Sequence, residues 1–195
     1  MSTSDKVYYK AVNLDYSAHQ PRQGIWEVGS VVEAETPILT VGDAPHEVPY
    51  ISLPMRLITV EAVEDVNLKN FNHMNEPHMF AATSWKVTGE IESWRALGTN
   101  GEAVQHVVER TPHLDEEQLS SITRYAKTNA VAINACRNET SAALKKTHMV
   151  RPYYFILRNV ENYYCETVAL AELMKEYISS QSYDIVTSHW HALID

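Results

Sequence analysis

The stretch Trp85, Lys86, Val87, Thr88, Gly89, Glu90, Ile91 alternates apolar and polar side chains, and this period of two constrains the fold more than any other feature of the chain. Side chains of an extended segment point alternately to opposite faces. Trp85, Val87 and Ile91 are therefore predicted to line a buried face, and Ser84, Lys86, Thr88 and Glu90 the other. Gly89 marks a bulge or a close approach by a neighbouring strand. Residues 56–66 repeat the pattern, with Ile58, Val60 and Ala62 opposed to Thr59 and Glu61. Two such strands predict the middle of an antiparallel sheet, with further strands before them and helices after.

Residues 7–12 (Val-Tyr-Tyr-Lys-Ala-Val) are rich in β-formers and are predicted to be the first strand. Residues 25–35 read as a strand interrupted at Gly29 and Ser30, and 38–41 as a short strand ended by Gly42 and Asp43. Pro45, Pro49 and Pro54 exclude a continuous helix or a central strand over 43–54. That loop and the Asn-rich connection 67–80 are long, and long ordered loops often carry function.

Beyond residue 95 the period changes to that of helices. Residues 102–110 are predicted to form a short helix. Asp115 and Gln118 have the spacing of a capping box, and Leu119, Ile122, Ala126, Ala130 and Ile133 continue from it at helical spacing. This helix is expected to end at Asn138 and to be followed by a short one over 139–146. Residues 153–157, five apolar residues after Pro152, suit a buried strand or a helix start. Residues 164–179 are predicted to be helical. The expected class is α+β: a mostly antiparallel sheet in a β-rich part, 1–94, packed with a set of α-helices in 95–195, within a single compact unit of 195 residues.

An apolar content of 45% fits a globular chain and is too high for a disordered one. No run approaches the roughly 20 apolar residues of a membrane span, and the N-terminus has no apolar leader, so a soluble cytoplasmic protein is expected. Cys136 and Cys165 are too few for a disulfide framework and are expected to be buried free thiols. The formal charge of −9 is uneven: residues 1–94 hold 6 Lys+Arg against 13 Asp+Glu, and residues 95–195 hold 10 against 12. An acidic β-rich part argues against wrapping nucleic acid and suits a basic protein partner.

No phosphate-binding loop, dinucleotide fingerprint, nucleophile elbow or Cys-x-x-Cys occurs, and no cofactor is expected. His189 with His191, and His73 with Glu76 and His78, are of the types that zinc accepts. Neither group has the usual spacing, and a closed site would need both to meet, so no metal is expected. The tyrosine doublets Tyr8-Tyr9, Tyr153-Tyr154 and Tyr163-Tyr164 are expected to serve packing, and Lys145, Lys146, Arg151 and Arg158 form the one local basic cluster. Acid–base chemistry, if present, is assigned to His46 in the proline-framed loop, Glu61 on the strand after it and Tyr9 on the first strand.

Residues 7–91 resemble an uncharacterised family of tailed-phage proteins. The matching features are Tyr9-Lys10-Ala11, Trp26-Glu27-Val28-Gly29, the loop at His46, Leu57-Ile58-Thr59-Val60-Glu61, and Trp85-Lys86-Val87. Members of that family often continue into Ala-rich helices, as Ala126, Ala130, Ala132, Ala135, Ala142 and Ala143 do here. The family's glycine and aromatic before the histidine are replaced by Ala44-Pro45. The resemblance implies a phage-encoded accessory protein that binds a host or phage protein without catalysis. The same order of elements is loosely similar to ADP-ribosyltransferases, which implies, as an alternative, an enzyme handling a nicotinamide nucleotide. Those enzymes place Arg or His on the first strand where this chain has Lys10, and their catalytic Glu would fall at Glu61.

Overall fold

The computed structural model describes residues 6–19, 24–35, 39–63, 69–70, 79–147 and 149–194. The chain divides into two units, 1–96 and 97–195, and each is described by itself. The first carries the sheet and the second the helices, which is the α+β class expected from the sequence.

Seven strands form the sheet: β1 (Tyr8–Val12), β2 (Val31–Glu33), β3 (Leu39–Gly42), β4 (Arg56–Ala62), β5 (Lys69–Asn70), β6 (Met79–Ala82) and β7 (Ser84–Ile91). Their spatial order is β2-β7-β4-β1-β3-β6-β5, and the pairings are antiparallel. The strand expected over 25–35 is reduced to β2, because Ile25 makes only an isolated bridge to Ser17 and Val28-Gly29 turn. The strand expected over 56–66 is described as far as Ala62. Residues 36–38 and 71–78, and with them Ile38, His73, Glu76 and His78, lie outside the described residues.

The alternation of β7 holds only as far as its bulge. Val60 pairs with Val87 while Thr59 pairs with Gly89, so Thr88 is an extra residue on β7. Trp85 and Val87 belong to one core with Tyr8, Val12, Trp26, Val32, Val41, Ile58 and Val60. Ile91 packs instead with Ala11, Val48, Met55 and Leu57 on the other face. The expected common face of Trp85, Val87 and Ile91 is thus broken by one inserted residue, since a single step of register turns every later side chain over. Gly89 sits where the bulge approaches β4 closely: a Cβ there would stand 3.0 Å from Thr59 Oγ1, tight enough that this side chain would have to give.

Between β3 and β4 the prolines allow one short 3-10 turn, Pro45–Glu47, followed by the buried Val48 and Pro49. The turn packs against β1 and β3. Gly42 makes this approach feasible, because a Cβ on it would lie 2.6 Å from the carbonyl oxygen of Glu47.

The helical unit comprises α1 (Gly101–Arg110), α2 (Glu116–Thr128), α3 (Ala130–Leu144), α4 (Val150–Asn159), α5 (Tyr163–Leu173) and α6 (Ser180–Ile194). Asp115 accepts from Gln118 N and Gln118 returns the bond, so the capping box opens α2 as expected. The helix expected to run to Asn138 is instead two, divided at Asn129 (φ −107°, ψ 19°), whose amide nitrogens both donate to Tyr125 O. The segment 139–146 is the end of α3 rather than a separate helix, and 153–157 resolve to helix within α4. Nine of the eleven residues of α5 are buried, and it packs against α1, α2, α3, α4 and α6. A helix apolar on all sides belongs at the centre of such an array. The helix expected over 164–179 closes at Leu173, and α6 follows, capped by Ser179, whose N and Oγ donate to Glu139. Cys136 and Cys165 are free and buried, and burial raises both thiols to about 11, which keeps them protonated and unreactive.

Candidate functional site: the β2 edge and its acidic cavity

The residues singled out for acid–base work lie on β1, on β4 and in the turn between β3 and β4. Tyr9 lies opposite Thr59 on β4, so Tyr9 and Glu61 point to the same side of adjacent strands, the side of Ala11 and Leu57. His46 is the middle residue of the 3-10 turn that packs on β1 and β3. Lys10 points the opposite way. It is paired with Ile58, only 3% exposed, and its Nζ stands 4.6 Å from the centre of the Trp26 ring. Burial lowers its ammonium to about 7. A first-strand cation and Glu61 therefore do not face one cleft.

The histidines of α6 also turn to separate partners. His189 stacks on Tyr125 at 4.2 Å with 5° between the rings, and its Nε2 is 3.3 Å from Ser121 Oγ. His191 Nε2 is 3.2 Å from Glu172 Oε1. Glu172 is 2% exposed, and Tyr183 Oη donates to both of its oxygens at 2.9 and 3.0 Å. This network fastens α6 to α5 through a buried carboxylate whose lone pairs are engaged, which is a structural task. Among the described residues, no group of three or more His, Cys, Asp or Glu could hold a metal ion.

The feature that offers a surface to a ligand is the outer edge of β2. Val87 N donates to Ser30 O and Ala34 N donates to Thr83 O, so the even-numbered residues of this segment bond to β7. The N–H and C=O groups of Val31 and Glu33 then face outward, as antiparallel alternation requires. No described strand pairs with them. Val31 on this strand, and Ile25 and Val28 in the segment that leads into it, are each about half exposed, at 49%, 52% and 52%. Residues 24–35 carry Glu27, Glu33 and Glu35 and no Lys or Arg.

At the end of β2, where Glu33 lies opposite Ser84, a cavity of about 480 Å³ is lined by Glu33, Ala34, Glu35, Val63, Thr83 and Ser84. Ser84 Oγ is buried there without a hydrogen-bond partner among the described residues. Carboxylates and hydroxyls are the acceptors that an ammonium or guanidinium needs, and Ala34 and Val63 supply apolar wall for the stem of a long basic side chain. Tyr9, His46 and Glu61 do not line this cavity.

Only the acidity of this region was visible in the sequence. That β2 is an edge depends on strand order, which joins residues far apart in the chain. Comparison with known protein families, curated proteins and solved structures finds no match to this chain.

Proposed function

We propose that the chain is a phage-encoded accessory protein of the host cytoplasm that acts by binding a host or phage protein. On this reading the β2 edge takes an extended segment of the partner as an added strand, with a basic side chain of that segment in the acidic cavity. The observation that carries the binding site is the outward backbone of Val31 and Glu33, flanked by exposed apolar residues and three carboxylates. Strand addition draws affinity from main-chain hydrogen bonds and specificity from pockets for alternate side chains. Phage origin is supported by the resemblance of residues 7–91 to the tailed-phage family, and the charge of the β-rich part supports a basic partner. Among the described residues no helix is long and apolar enough to cross a membrane.

The test is amide chemical-shift mapping with an extended peptide of alternating Val and Arg. The shifts are expected to concentrate on residues 31–35 and 84. Val31→Pro removes an outward N–H without touching the ladder to β7, and it should weaken binding by at least about tenfold. Glu33→Lys with Glu35→Lys should do the same. Shifts centred elsewhere, or binding unchanged in both variants, would sink the reading.

A further inference from the structure

The helical unit carries a second surface of the opposite sign. Residues 140–160 contain Lys145, Lys146, Arg151 and Arg158 and no Asp or Glu. Residues 97–195 hold 9 Lys+Arg against 12 Asp+Glu, a net of −3, so with these four cations set aside the rest of the helical unit carries −7. Lys145 caps the end of α3 and Lys146 follows it, both exposed. On α4, positions 150, 154 and 158 recur every fourth residue and share one face. Val150 is 46% exposed and Tyr154 53%, and Arg158 is exposed beyond them. Pro152, Phe155 and Ile156 are the buried residues of the same helix, so its outer stripe is free of core duty. The Tyr154 ring is propped edge-on by Tyr153 at 5.9 Å, which limits its freedom before any contact is made. Lys145, Lys146 and Arg158 pair with no carboxylate among the described residues.

We infer that this stripe of α4 docks an acidic amphipathic helix of a protein partner. The Val150–Tyr154 ridge matches the apolar stripe of such a helix, and Arg158 one turn beyond it on the same face, with Lys145 and Lys146 in the segment that leads into α4, matches flanking carboxylates. A short acidic segment covers only the basic patch. A nucleic acid strand or an anionic bilayer extends past it, into the field of the helical unit's remaining net charge of −7, and is repelled. The inference is independent of the β2 edge, because it concerns the other unit and a partner of opposite charge.

Fluorescence anisotropy with a labelled helical peptide of Glu, Leu and Ala tests it, with an oligothymidylate and phosphatidylserine vesicles as the competing ligands. The peptide should bind the intact chain, more weakly as salt rises. Lys145→Glu, Lys146→Glu and Arg158→Glu combined should weaken binding by at least about tenfold, and Tyr154→Ser by several fold. All four positions lie at the surface, and a circular-dichroism melt matching the parent establishes that each variant is folded. Absence of peptide binding, equal binding by the charge-reversed variant, or tighter binding of the oligonucleotide or the vesicles overturns the inference.

Discussion

Trp85 is fully buried, and its ring meets that of Tyr8 edge-on at 5.1 Å. Trp85→Ala should cost about 3–5 kcal/mol, as large-to-small core changes do. Lys86→Ala, on the exposed side, should stay within about 0.5 kcal/mol. Denaturant melts of the two variants measure the contrast, and equal losses would contradict the buried and solvated faces. Lys10 makes a pH-dependent case. Its amine is lowered to about 7 in the folded chain, whereas an unfolded lysine keeps its proton to about 10.4. Below pH 7 both states hold the proton and folding bears the whole burden of burying a charge. Between pH 7 and 10 the unfolded state binds more protons, so stability contributed at this site rises with pH. The stability gained by Lys10→Met should therefore be largest near pH 6 and shrink toward pH 10, as read from urea midpoints across that range. Trp85 and Val87 were legible as core because alternation is local. Lys10 was not, since its burial depends on Trp26, which reaches it from another part of the chain.

At the scale of elements, the sequence was most informative where one residue type forces a geometry. Asp115 with Gln118 opened α2, and the prolines broke 43–54. It misled where periodicity ran on across a break. Ile122, Ala126, Ala130 and Ile133 keep helical spacing through Asn129, yet the backbone leaves helical geometry at Asn129, whose side chain adds a second donor to Tyr125 O beside its own backbone N–H. Helix α6 was missed although Tyr183, Val186 and Trp190 have helical spacing, because serines and histidines between them dilute the pattern. Its tie to α5 yields a prediction. Tyr183→Phe removes the one hydroxyl donor that Tyr183 shares between the two oxygens of the buried Glu172 and should cost about 1.5–3 kcal/mol, the range for hydrogen bonds to charged groups. A thermal melt checks it, and a Tyr183→Phe chain as stable as its parent would show that His191 alone satisfies the carboxylate.

For the whole molecule, charge was legible at once and its placement was not. The sum of −9 conceals an acidic sheet edge in one unit and a basic helix stripe in the other, and each acquires meaning only through exposure and strand order. Tyr9, His46 and Glu61 are legible in the sequence by chemical type alone, whereas the shared face of Tyr9 and Glu61 follows only from the pairing of β1 with β4. The β2 edge has a further consequence. An open strand end pairs as readily with its own copy as with a partner, and such pairing is how soluble sheet proteins begin to aggregate. Two β2 edges laid together would bring Glu27, Glu33 and Glu35 of both copies onto one seam, where six like charges oppose each other. Exchanging the three for Gln at neutral pH should therefore let the chain self-associate at concentrations where the parent stays dispersed, as sedimentation velocity would record. An unchanged sedimentation profile would mean that something other than charge guards the edge. On this view the carboxylates act as gatekeepers: they admit a basic strand and turn the chain's own copies away.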